Sequence, residues 1–138
     1  MYKVLTIDDD PAMTELLTLL LKMHGLDAHM ANSGEDGLKL VRKLSPDVII
    51  LDLMMPDMDG WQVCTQIRAF SKVPIIVLSA LDSPGIVASA LDAGADDYLV
   101  KPVPSGVLIA HLNNLTRRAA TERFNKDQLT IKPLVLPA

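Results

Sequence analysis

The sequence predicts an α/β fold, an open, doubly wound sheet of five parallel strands with helices on both faces. Three observations predict it. Five short aliphatic runs alternate with five stretches of helical periodicity. The third and fourth runs contain Val48-Ile49-Ile50-Leu51 and Ile75-Ile76-Val77-Leu78, continuously apolar, as central strands buried on both faces of a parallel sheet are. The length of 138 residues allows one domain with one sizeable core, whereas an eight-stranded barrel needs about 250 residues.

The elements follow in order. Strands are expected at residues 2–7, 26–31, 47–51, 74–78 and 96–100. Pro11 suits the first turn of the first helix, where its missing N–H costs nothing, and Asp10 precedes it as a cap. Leu16, Leu17, Leu20 and Met23 are expected to form that helix's inward face, and His24-Gly25 to end it. The second helix should run from Ser33, its cap, to Leu44, with Leu38 and Val41 inward and Ser45-Pro46 as the stop. The third begins at Gly60 and carries Val63, Ile67 and Phe70. Ser83-Pro84 supplies a cap and a first-turn proline for the fourth, and Ala93-Gly94 closes it. The fifth is expected over residues 104–120. Residues 121–138 lose helical periodicity and are read as a linker or arm, because eighteen residues cannot build a second core.

Composition excludes several functions. Hydrophobic residues make up 49% and charged residues 22% of the chain, so it folds rather than staying disordered. A net charge of −4 argues against a nucleic-acid-binding surface on this domain, since phosphate backbones attract basic faces. A single cysteine, Cys64, rules out an internal disulfide and a cysteine-based zinc site. The N-terminus turns acidic at once and no apolar run nears the ~20 residues of a membrane span, so a cytoplasmic protein without membrane contact is expected.

Functional groups of open parallel sheets gather at the carboxyl ends of the strands. There the sequence puts Asp8, Asp9 and Asp10 after strand one, Asp52 after strand three, Ser79 at strand four and Lys101 after strand five. A lone aspartate at such a place usually caps a turn or helix, and Asp10 fits that role. Asp8, Asp9 and Asp52 together would repel one another, so they call for a cation or a shared proton. An oxygen-only ligand set favours Mg²⁺ over zinc. His24, His29 and His111 share no spacing that would make a metal or phosphohistidine site. Asp57-Met58-Asp59-Gly60 lacks the distal glutamate of a calcium loop and reads as a turn into the third helix.

The set Ile7-Asp8-Asp9-Asp10, Val48 to Pro56, Asp59-Gly60, Leu78-Ser79-Ala80 and Gly94 to Pro102 resembles the receiver domain of two-component response regulators, over residues 2 to about 120. The resemblance implies a flavodoxin-like (CheY-like) sheet of strand order 2-1-3-4-5. It implies that Asp52 is the phosphoacceptor, that Asp9 ligates Mg²⁺ directly, that Asp8 acts through a metal-bound water, and that Met54 contributes its carbonyl. Ser79 matches the hydroxyl that bonds a phosphoryl oxygen. Lys101 matches the lysine that pairs with the acceptor and then with the phosphoryl group, across a Lys101-Pro102 bond that is cis in the family. Tyr98 matches the aromatic switch that turns inward when Ser79 moves toward the phosphate. The implied donor is a sensor histidine kinase. The protein would assist its own modification without turning over a separate substrate, so it is not expected to be an enzyme in the usual sense.

The two positions that usually tune the phosphoryl lifetime in the family this chain resembles are apolar here, Met54 and Leu81, so the resemblance implies slow self-hydrolysis. The fifth helix is similar to that of the winged-helix transcription-factor branch, with an effector domain absent from this chain. That branch commonly has arginine where His111 stands, pairing across a homodimer with Asp96 or Asp97; histidine would weaken the pair at neutral pH. The nearly uncharged fourth helix is either buried by its neighbours or part of an apolar dimer face with strand five and helix five. A stand-alone receiver acting through protein contacts is the alternative. An aspartyl-phosphate phosphatase would want a second acid where Met54 stands. A flavin module would want a phosphate loop where Asp8-Asp9-Asp10 would repel its ligand.

Overall fold

The computed structural model describes the backbone of residues 1–131 and the side chains of residues 1–121. Its elements alternate: β1 (Lys3–Ile7), α1 (Pro11–Met23), β2 (Asp27–Ala31), α2 (Gly34–Leu44), β3 (Val48–Leu51), α3 (Gly60–Arg68), β4 (Ile75–Ser79), α4 (Pro84–Asp92), β5 (Asp97–Val100) and α5 (Ser105–Ile131). The strands form one sheet in the order β2-β1-β3-β4-β5, all parallel, with Val4 opposite Val48, Ile50 opposite Ile76 and Val77 opposite Tyr98. Expected strand ends shift by a residue, the ordinary uncertainty of element boundaries.

Side chains alternate across the sheet, and each face carries its own core. On one face Leu5, Ile7, Ile49, Leu51, Ile75 and Val77 pack with Leu38, Val41, Val63, Ile67 and Ala90 of α2, α3 and α4. On the other, Val4, Val48, Ile50, Ile76 and Leu78 pack with Leu17 and Leu21 of α1 and Leu108, Leu112 and Leu115 of α5. The double burial explains why β3 is apolar throughout and β4 is apolar up to Ser79 at its carboxyl end. Side-chain caps start α1, α2 and α4 as expected, and α3 as well, where the sequence signals only a turn. Asp10 accepts from the N–H of Ala12, Ser33 from Asp36, Asp59 from Gln62 and Ser83 from Ile86.

Four expectations need correction. The inward face of α1 is Thr14, Leu17 and Leu21, while Leu16 and Met23 are 61% and 74% exposed. The helix carries two apolar stripes, and periodicity alone cannot say which one meets the sheet. Phe70 lies beyond α3, half exposed, with the Arg42 guanidinium 4.3 Å from its ring centroid, a cation–π contact on the surface. Helix α4 is not buried by neighbours: only Ala90 is fully enclosed. Helix α5 continues to Ile131, well into the segment read as a linker or arm. No proline or glycine occurs between Val107 and Lys132, so a helix nucleated against the sheet meets nothing that stops its propagation. Residues 132–138 of that segment, with Pro133 and Leu134-Val135-Leu136, lie outside the described residues.

Candidate functional site

The strand order reverses direction between β1 and β3, and the crevice at their carboxyl ends is where such sheets bind ligands. The ladder extends into the loops and aims the side chains there. Asp8 N–H donates to Ala31 O (3.1 Å), Asp52 N–H to Ile7 O (2.9 Å) and Lys101 N–H to Ser79 O (2.8 Å). The structure thereby brings together the carboxylates singled out from sequence: oxygens of Asp8, Asp9 and Asp52 all lie within 4.8 Å of one another. Asp8 and Asp52 are buried and Asp9 is exposed. Such an all-oxygen cluster at the mouth of a crevice fits a hard divalent ion such as Mg²⁺. Asp10 stays outside it, as the cap of α1.

Lys101 is the cation already present. Its Nζ donates to Asp8 Oδ2 at 3.0 Å and stands 3.7 Å from Asp52 Oδ2, and the Lys101-Pro102 bond before its loop is cis. The lysine was expected to pair with Asp52 itself; its shorter contact is with Asp8, the more deeply buried carboxylate. Burial pushes the Asp52 carboxyl above the usual aspartate value. The Lys101 ammonium opposes that rise, Asp8 adds to it, and the amides of Met54 and Leu53 pull it down. Met54 N–H points at Asp52 Oδ1 (3.5 Å) while its side chain is 58% exposed.

The hydroxyl of Ser79 is fully buried and accepts from Leu81 N–H at 3.2 Å. Tyr98 is half-buried, and its hydroxyl donates to Leu81 O at 2.5 Å. Ser79 and Tyr98 thus grip the same residue of the β4–α4 loop from two sides.

Several functional neighbours escaped the sequence. Asn32 donates to Asp8 O and to Thr14 Oγ1, both at 2.9 Å, fixing the loop that carries Asp8. Gly60 N–H donates to Leu53 O at 2.8 Å, and a Cβ at Gly60 would sit 2.5 Å from Asp52 O. That position admits no side chain, which a glycine after an aspartate signals only as a turn. Arg68 binds Gly94 O, Ser71 O, Val73 O and Asp96 Oδ2, and His111 Nδ1 pairs with Asp97 Oδ2. Both acids expected to reach a second copy are therefore engaged within the chain. An apolar cavity of about 580 Å³ opens beside Lys101 and Pro102, lined by Met13, Leu16, Leu20 and Val103 among others, so the outward stripe of α1 reaches Lys101. Among the described residues no helix is long and apolar enough to cross a membrane.

Comparison with known proteins agrees with this architecture. The response regulator receiver domain family matches residues 4–113. Transcriptional regulatory protein AfsQ1 of Streptomyces coelicolor is 43% identical over 99% of this chain and 60% of its own length. DNA-binding response regulator MtrA of Mycolicibacterium smegmatis is 41% identical over 87% of this chain and 53% of its own. The chain thus spans roughly half to three fifths of these relatives. The receiver domain of Francisella response regulator 1452 superposes with a TM-score of 0.82 at 36% identity, covering 86% of this chain and 99% of that one. The beryllofluoride-activated receiver domain of Klebsiella pneumoniae RstA gives a TM-score of 0.80 at 32% identity, covering 83% and 98%. Family match, relatives and sheet order agree: the chain belongs to the response regulator receiver domains of two-component systems, on the side of the family whose relatives regulate transcription.

Proposed function

We propose that Asp52 accepts a phosphoryl group from a phosphohistidine of a sensor histidine kinase, and that the modified crevice alters the α4–β5–α5 face toward a partner. One observation carries this reading: three carboxylates converge within 4.8 Å, with a single ammonium between Asp8 and Asp52. Asp8, Asp9 and Asp52, with the carbonyl of Met54, would hold Mg²⁺, which when bound neutralises charge on the phosphoryl oxygens. In its carboxylate form Asp52 is a nucleophile that needs no base. Lys101 supplies the second positive charge and Ser79 a hydroxyl donor, the positioned groups that phosphoryl transfer requires. Ser79 would give up Leu81 N–H to reach the phosphoryl oxygen, and Tyr98, holding Leu81 O, would register that movement. The apolar stripe of α1 beside the crevice is suited to the surface of the donor protein.

The protein assists its own modification and is not proposed to be an enzyme acting on a separate substrate. A homodimer through α4, β5 and α5 is proposed for the modified form, with exposed Leu91, Val100 and Val107 at its centre. Because His111 and Arg68 already pair with Asp97 and Asp96, apolar contact rather than inter-copy ion pairs would dominate. The effector is proposed to be a DNA-binding domain outside this chain, in a cytoplasmic regulator. Incubation with acetyl phosphate and Mg²⁺ should add one phosphoryl mass, and Asp52→Asn should abolish it. Uptake that survives Asp52→Asn would sink the assignment.

A further inference from the structure

Helix α4 is weakly held for an element that flanks the output face. Ala90 alone is fully buried, and the residues facing outward include Leu91, Ala88 and Ser89. Among the described residues, one side chain from another element hydrogen-bonds to it. Trp61, the sole tryptophan of the chain, donates its indole Nε1–H to Ser89 Oγ at 2.9 Å. Ser89 in turn donates to Ile86 O, one turn back, at 2.9 Å, so its only hydroxyl proton is committed to its own helix and a lone pair is left to receive the indole. The Trp61 ring is half-buried and packs against the core beneath α3 and α4.

The other end of this contact lies at the acceptor. Trp61 follows Gly60, whose N–H is bonded to Leu53 O and where an added Cβ would lie 2.5 Å from Asp52 O and 2.6 Å from Leu53 Cα, so that no side chain fits. A shift of the Asp52–Leu53 backbone cannot be absorbed in a gap at that point; it must move the first turn of α3 and the indole with it. We propose that the Trp61–Ser89 hydrogen bond is a latch fastening α4 to the acceptor loop through α3. It forms a second route to the output face, separate from the one through Ser79, Leu81 and Tyr98. The latch itself stands on the resting contacts; its signalling role rests on the proposed phosphoacceptor role of Asp52.

The test has two arms, read on the full chain. In the resting protein, hydrogen exchange of the α4 amides is compared for wild type, Ser89→Ala, Trp61→Phe and the double variant. Each single change should speed exchange about two- to fivefold, the size expected for one net hydrogen bond. The double variant should exchange no faster than the singles, and Ser89→Thr, which keeps the hydroxyl, should restore protection. Singles without effect, or effects that multiply, overturn the latch. In the second arm beryllofluoride and Mg²⁺ are added while Trp61 emission is followed. Wild type should change emission together with α4 exchange. Ser89→Ala should take up phosphoryl mass normally from acetyl phosphate, yet lose the emission change. Normal uptake with an unaltered emission response in Ser89→Ala overturns the signalling role. Absence of uptake in wild type would instead remove the acceptor reading, and the first arm still decides the latch.

Discussion

Replacing Gly60 by alanine tests the closest backbone approach in the site. The added Cβ would lie 2.5 Å from Asp52 O, 2.6 Å from Leu53 Cα and 2.9 Å from Leu53 Cδ2. Two of these atoms are backbone and cannot rotate away, so the strand end carrying the acceptor must retreat by roughly 0.5–1 Å, a distortion that costs about 1–3 kcal/mol. Alanine recovers at most about 1 kcal/mol through its better helix propensity, and less at the first helical position. A net loss of about 2 kcal/mol is expected, which for a domain of this size lowers the melting temperature by roughly 6–10 °C. Gly106→Ala is the internal control, since nothing lies within 4 Å of its Cβ position, and it should change stability by less than about 0.5 kcal/mol. Thermal melts give the stabilities; mass uptake from acetyl phosphate with Mg²⁺ gives the functional effect. Uptake by Gly60→Ala should slow at least about tenfold even well below its melting temperature, because a 1 Å misplacement of a reacting group is worth up to about a hundredfold. If Gly60→Ala melts like Gly106→Ala, or phosphorylates at the wild-type rate, the tight coupling of α3 to the acceptor is wrong.

Four further outcomes are expected. In chelator, Asp52→Asn should be more stable than wild type at neutral pH by about 1 kcal/mol, since a buried, repelled carboxylate is removed while Lys101 keeps Asp8. Because folding raises the Asp52 pKa, the penalty appears as pH rises through the folded value; urea titrations should show the gap closing in acid, and a widening gap would refute the sign. Arg68→Ala should cost about 2–3 kcal/mol by leaving the carbonyls of Gly94 and Val73 and the Asp96 carboxylate short of a donor, and Arg68→Lys should not recover the loss, because a point charge cannot replace the fork. Added Mg²⁺ should raise the melting temperature of wild type and leave Asp9→Asn nearly unchanged, with a gain of about 2.7 kcal/mol at a hundredfold excess over Kd; equal shifts in both would exclude Asp9 as a ligand. The phosphorylated protein should retain its label for minutes or longer, and Met54→Asp should shorten that time, as followed by mass.

The sheet was legible in the sequence because β3 and the first four residues of β4 are continuously apolar and because Asp10, Ser33 and Ser83 mark helix starts with side chains suited to capping. The site was legible because its residues stand at strand ends, where topology converges them. Helix α1 was misread because its leucines form two stripes, and hydrophobicity does not separate a stripe facing the sheet from one facing the crevice beside Lys101. The partners of Arg68 were illegible for another reason. They are mainly carbonyl oxygens of Gly94, Ser71 and Val73, and every residue type has one. The same holds for Gly60, where the informative fact is the absence of room. Gly94 adds a conformational demand, with φ at +118° and the Arg68 side chain 2.7 Å from a virtual Cβ.

The 3.0 Å contact between Lys101 and Asp8 turns the crevice from a receptacle into an exchange of counter-ions. The ammonium is a place-holder, committed to a carboxylate other than Asp52. If Asp52 is the phosphoacceptor, a positive charge that relieves Asp8 would also release Lys101 toward Asp52 and the group it would carry. The two events then share one free energy, and thermodynamic reciprocity requires each to favour the other by the same factor. Ligands that arrive separately would therefore bind as if they recognised one another, with a single lysine, moving less than the length of its own side chain, as the go-between.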